Sequence, residues 1–85
     1  PLLDTKLPDN EIETIKKIIK EYHTKNITFH QLRTRKSGHY RYVGLHLDVP
    51  CQYSVLQSHE ICDEIEKSIE NEIPNIEVNI HVEPI

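Results

Sequence analysis

The 85-residue sequence predicts an α+β domain with its elements in the order α-β-β-α-β. Three observations carry that prediction. Isoleucines recur at helical spacing near the start; apolar and polar residues alternate in the middle and again at the end; and a helix-start signature separates the two alternating stretches. A helix repeats every ~3.6 residues and a half-buried strand every second residue, so each pattern suits one element and frustrates the other.

Leu7-Pro8-Asp9-Asn10 punctuates the beginning, where Asn10 with Glu13 reads as a capping box and Asp9 as a competing cap. Ile12, Ile15, Ile18, Ile19 and Tyr22 then form one apolar face on a helix from Asn10 to His23, with Lys16, Lys17 and Lys20 outside. His23 suits the negative end of the helix dipole. A strand follows from Ile27 to Lys36, its alternation broken around His30-Gln31-Leu32, and Lys36-Ser37-Gly38 supplies a hairpin turn. The strand from His39 to Val49 alternates cleanly. Arg41, Val43, Leu45, Leu47 and Val49 point one way; Tyr42, Gly44, His46 and Asp48 point the other.

Pro50 ends that strand, and Ser54 with Gln57 makes a second capping box opening a helix to about Ile73. Its apolar stripe reads Val55, Ser58, Cys62, Ile65, Ile69 and Ile73. After Pro74-Asn75, the last strand, Ile76 to Glu83, turns Val78, Ile80 and Val82 inward and Glu77, Asn79, His81 and Glu83 outward. A short hairpin makes the first two strands antiparallel neighbours, and a right-handed crossover lays the third parallel to the second. The expected sheet is therefore mixed and three-stranded, in the order 1-2-3. Both helices cover one face, the one bearing Val43, Leu45, Leu47, Val78, Ile80 and Val82.

Composition narrows the function classes. A chain of this length is one domain and buries only roughly 60% of its unfolded surface, so a second copy or a bound metal is an expected source of stability. A hydrophobic fraction of 36% and a net charge of −4 fit a folded soluble domain. Fourteen acidic against ten basic residues argue against nucleic acid as partner; the basic cluster Arg33, Arg35, Lys36 and Arg41 reads as a solvated hairpin. No apolar run has a membrane helix's length. The two cysteines, Cys51 and Cys62, build neither a disulfide framework nor a zinc ribbon. A chain without an initiating Met reads as a piece of something longer.

Histidine is the residue type in excess, with six copies. "VGLHLDV" (Val43 to Val49) and "NIHVEPI" (Asn79 to Ile85) share a beat in which an acid follows a histidine by two residues, on the same strand face. Adjacent strands place His46 and Asp48 beside His81 and Glu83. His30, His46, His59 and His81 come from four different elements, the dispersion expected of a metal site assembled by the fold, and imidazole with carboxylate suits zinc and its first-row neighbours. The plain alternative is a polar outer face on a half-exposed sheet. An acid-base enzyme using His59 and Asp63 lacks an accompanying nucleophile or oxyanion loop, so no enzymatic activity is expected.

"FHQLRTRKSG" (Phe29 to Gly38), "YVGLHLDV" (Tyr42 to Val49), "SVLQSHEICDEIEKSI" (Ser54 to Ile69) and "VNIHVEP" (Val78 to Pro84), in this order, resemble the cytoplasmic C-terminal domain of cation diffusion facilitator transporters. "PLLDTKLPDNEIETIKKII" resembles the stretch leaving their last membrane helix, which makes residues 1–8 the remnant of a linker and 1–85 a single regulatory domain. The resemblance implies a truncated ferredoxin-like, metallochaperone-like domain on the cytoplasmic side of a membrane. It also implies a homodimer, attached to a transmembrane domain, that binds Zn2+ or another divalent transition metal and regulates efflux. Carried over position by position, the metal ligands are His30, His46, His59, His81 and Glu83. Some members have Asp where this chain has the longer Glu83. A metal-independent dimerisation scaffold of the same transporter is the second reading.

Overall fold

Pro8, rather than Asn10, stands at the N-cap of the first helix in this computed structural model, which describes residues 5–85. Helix α1 runs Asp9–Lys20 with no side-chain cap, because Asn10 is already helical and a capping residue must stand outside the helix. The Pro8 carbonyl instead accepts from the backbone N–H groups of Glu11 and Ile12. Asp9 and Glu11 give the first turn the negative charge that the dipole favours. Lys6, 2.9 Å away, hydrogen-bonds the Asp9 carboxyl and holds it below the ordinary carboxylate range.

The predicted end of α1 at His23 is also revised. After Lys20 the chain tightens into a 3₁₀ helix, Glu21–Lys25, closed by Asn26 in the left-handed conformation (φ 61°) that Asn tolerates better than most residues. Strand β1 (Thr28–Ser37) joins β2 (Tyr40–Val49) through Gly38-His39. A positive φ at Gly38 alone in that loop is the type II′ pattern of a two-residue hairpin. Helix α2 spans Val55–Glu72 and opens on the predicted capping box: Ser54 accepts from the Gln57 N–H, and Gln57 accepts from the Ser54 N–H. Strand β3 is Ile76–Pro84.

The sheet has the expected order β1-β2-β3, antiparallel then parallel. The broken alternation in β1 is a β-bulge. His30 pairs with His46 and Arg33 with Gly44, so Gln31 and Leu32 together oppose Leu45, and Gln31 takes φ 52°. The extra residue lets Phe29 and Leu32 both pack against the core although they lie three positions apart. His30 and Arg33 consequently share the outer face.

The core lies between β2 and the helices. Val43, Leu45, Leu47 and Val49 of β2 meet Ile15 and Ile19 of α1 and Ile61, Ile65 and Ile69 of α2, all essentially buried. Ile65, Ile69 and Ile73 of the expected α2 stripe are buried, but its first half differs. Ile61 replaces Ser58 and Cys62 as the buried position, while Val55 is 87% exposed. The isoleucines at i, i+4 and i+8 bury more apolar area than a serine and a cysteine do, and that difference sets the helix's rotation. Val78, Ile80 and Val82 of β3 point to this side as predicted but stay half-buried at the edge. Arg41 also lies on the helix side, where its Nε donates to Glu11 Oε1 of α1 at 2.9 Å.

Residues expected to form a linker are partly tied down. Leu7 is fully buried, its N–H donates to Thr34 Oγ1, and Thr5 pairs with Lys36 in an isolated β-bridge. Positions 1–4 of that segment lie outside the described residues. No helix among the described residues is long and apolar enough to cross a membrane.

Two outcomes follow from this architecture. Gln31→Gly is expected to keep or raise the urea midpoint, whereas Gln31→Val is expected to lose about 1 kcal/mol or more, because a β-branched residue fits the left-handed region poorly. Tyr22, whose hydroxyl donates to Glu64 Oε1 at 2.9 Å, has its pKa pushed up to about 12 from 10.0, chiefly by burial and then by Glu64. The folded phenol holds its proton where the unfolded one has begun to lose it. Stability from this group is therefore complete below the unfolded value and lost as pH rises through the folded one. Tyr22→Phe should flatten that alkaline part of the melting-temperature profile.

Candidate metal centre

With both helices on one side, the other side of the sheet is a ladder of cross-strand rows set by the register. Arg35, Tyr42 and Glu77 form one row, and Arg33, Gly44 and Asn79 the next. Beyond the bulge come His30, His46 and His81, then Thr28, Asp48 and Glu83. Gly44 is buried beneath Tyr42, whose hydroxyl would stand 2.7 Å from any added Cβ. Tyr42 in turn lies under the Arg35 guanidinium, 5.0 Å from the ring centroid. An arginine-tyrosine half and a histidine-carboxylate half thus divide the bare face.

In the histidine row, the His46 ring stands 5.1 Å from each neighbour, stacked on His81 at 22° and tilted from His30 at 42°. Carboxylates lock two of the three rings. His30 Nδ1 lies 3.0 Å from Asp48 Oδ2, and the same oxygen accepts from Thr28 Oγ1 at 3.1 Å. Glu83 spans two rings, with Oε2 bonded to His46 Nδ1 and Oε1 3.4 Å from His30 Nε2. Glu83 thus reaches both rings from the next row.

An ionised carboxylate only accepts, so Asp48 requires the proton of His30 on Nδ1. A neutral ring then turns the bare lone pair of Nε2 toward Glu83 Oε1. Two acceptors facing each other at 3.4 Å favour a cation between them. Ligands of a tetrahedral zinc, each bound at about 2.0–2.1 Å, stand about 3.3 Å apart. His30, His46 and Glu83 each offer a ligand atom within 4.8 Å of the other two, and all three are part-buried. The donor set fits zinc or a similar first-row ion.

Of the five residues expected from sequence, these three converge. His81 is stacked beside them, exposed, but lies outside the three-residue group. His59 does not join them within the chain. It sits on α2 on the helix side of the sheet, at a groove with Val55, Cys62, Asp63, Ile80 and Val82. Cys62 in that groove has its thiol pushed up by burial, then by Asp63 and Glu66, which disfavours the thiolate that binds metal. Cys51 is an exposed free thiol. Asp48 and Thr28 were not among the expected site residues. The signal for Asp48 was present in the repeated beat, since it follows His46 as Glu83 follows His81.

Comparisons with known proteins agree with this architecture. Residues 7–85 match the family described as "Cation efflux protein, cytoplasmic domain". The cation-efflux pump FieF of Pectobacterium carotovorum is 34% identical over 84 residues, which is 99% of this chain and 28% of the pump. The chain thus spans little more than a quarter of the curated relatives it matches. Among solved structures, a candidate zinc transporter, CzrB, superposes with a TM-score of 0.84 at 32% identity, covering 93% of this chain and 98% of that one. Its zinc form gives 0.81 over 96% and 93%. The metal-bound C-terminal domain of the CzcD transporter from Thermotoga maritima gives 0.71 at 27% identity, over 92% and 94%.

Proposed function

The chain belongs to the cation efflux family as its cytoplasmic domain, and on that premise we propose that it is the metal-sensing, dimer-forming regulator of a divalent-cation efflux transporter, with zinc as the ion sensed. The observation that carries this reading is the convergence of His30, His46 and Glu83 from three strands onto one small volume. His30 Nε2 and the Glu83 carboxylate would hold the ion, and His46 Nδ1 would join them once its proton has moved to Nε2, which frees the lone pair now turned to Glu83. A bound zinc would supply positive charge between two imidazoles and the Glu83 carboxylate.

Without that charge, Glu83 and Asp48 leave negative groups on the bare face, and two such faces repel when chains approach. Neutralisation favours association, so occupancy and dimer closure are linked. The half-buried Ile80 and Val82, with exposed Val55, form an apolar edge that a second copy would cover. His59 lies on the rim of that edge, from which it would serve a neighbouring subunit's site rather than its own. His81, stacked on His46, steadies that ring or completes the ligand set. The transmembrane domain expected before this chain would receive the resulting change in dimer geometry.

Zinc titration followed by melting temperature and by mass tests the reading. Stabilisation of about 2.7 kcal/mol is expected at a hundredfold excess of free zinc over its dissociation constant, together with a shift toward dimer. His46→Ala and Glu83→Gln should abolish most of both responses. A metal-independent scaffold would be dimeric in chelator and indifferent to zinc, and that result would sink the sensor. Anomalous diffraction from metal-soaked crystals would report the ion's identity and ligands.

Histidine ligation also requires proton competition. Imidazoles must be deprotonated to bind metal, so zinc affinity should fall as pH drops from about 7.5 to about 5.5. Isothermal titration at the two values measures it, and an unchanged affinity would exclude imidazole ligands.

A further inference from the structure

We infer that Asp48 is a positioning residue for this centre: it sets the tautomer and orientation of His30 so that Nε2 faces the ion. The inference rests on the metal-binding reading and extends it to a residue outside the ligand set. His30 needs such help. It sits on an edge strand immediately before the Gln31 bulge, its side chain is 41% exposed, and an unrestrained imidazole presents either nitrogen. Asp48 lies on the central strand, held on both sides by the ladder, and its side chain is only 16% exposed.

Asp48 Oδ2 accepts from His30 Nδ1 at 3.0 Å, and Thr28 Oγ1, directly across the strand pair, donates to the same oxygen at 3.1 Å. That carboxylate oxygen is turned toward β1, and Asp48 is absent from the group whose ligand atoms converge. The chain of contacts runs Thr28 to Asp48 to His30, whose Nε2 would then meet the ion. A partner on the far nitrogen also makes a ligating imidazole a better donor.

The test uses the domain with Zn2+, with Co2+ as a spectroscopic substitute. In the metal-free domain at about pH 8, where imidazole is neutral, nitrogen-15 spectra should show His30 with its proton on Nδ1. Asp48→Ala should give mixed tautomers and weaken zinc binding roughly 10–100-fold, with Asp48→Asn, which keeps an acceptor, losing less. The Co2+ ligand-field spectrum should keep the wild-type coordination in all folded variants. If Asp48→Ala does not fold, Thr28→Val, which removes only the support to Asp48, should still weaken binding measurably.

Wild-type affinity in Asp48→Ala, or in Thr28→Val where that variant must serve, would overturn the inference and leave the metal reading intact. So would a proton found on His30 Nε2. A changed Co2+ coordination in Asp48→Ala would overturn it differently, by making Asp48 a ligand. No zinc binding by the wild-type domain would remove the metal reading itself, and this role of Asp48 with it.

Discussion

The register of β2 against both neighbours is the constraint on which everything else rests. Side chains alternate faces along a strand, so a slip of one residue would turn His46 and Asp48 into the core and Leu45 and Leu47 into water. The four apolar residues of β2 forbid that slip, because each is essentially buried against the helices. Hydrophobic burial on one side of the strand thereby fixes polar geometry on the other. The geometry of the candidate metal centre is borrowed from the core.

Strand β1 faces a sharper form of the same demand. Phe29 and Leu32 both belong to the core, yet their spacing puts them on opposite faces of a regular strand. The bulge at Gln31 accommodates both and keeps Thr28 and His30 in phase with Asp48 and His46. A non-glycine residue in the left-handed region costs some stability, and that local cost preserves the alignment of the histidine row. Strand β3 needs no such device, since its alternation is unbroken from Ile76 through Glu83.

Most of the architecture was legible because it rests on periodicity. The strand faces, the sheet order and the Ser54–Gln57 box follow from local pattern and connection length. The failures have physical causes as well. Asn10 and Glu13 have capping-box chemistry, but Pro8 starts the helix earlier. Only the first half of the α2 stripe differs from expectation, because Ser58 and Cys62 fit the spacing whereas burial is decided by area and Ile61 supplies more of it. At the site, the beat shared by His46-x-Asp48 and His81-x-Glu83 made convergence predictable. It could not tell which acid would span two rings and which would brace one, because that depends on side-chain length and on what lies across the strand. His59 was legible as a histidine free of the core, and because both helices cover one face, its place on α2 already put it on the side of the sheet away from His30, His46 and Glu83.

The bridge between Thr5 and Lys36 has a mechanical consequence. It pins Thr5 to the sheet beside the hairpin, whereas His30 lies six residues from Lys36 along the same strand, roughly 20 Å at the rise of an extended chain. Strand β1 thus carries the Thr5 bridge near one end and the candidate ligand His30 toward the other. A tilt of a few degrees about Thr5 sweeps the imidazole row through about 1 Å, given that length. A small rotation at the bridge is thus magnified where the imidazoles sit.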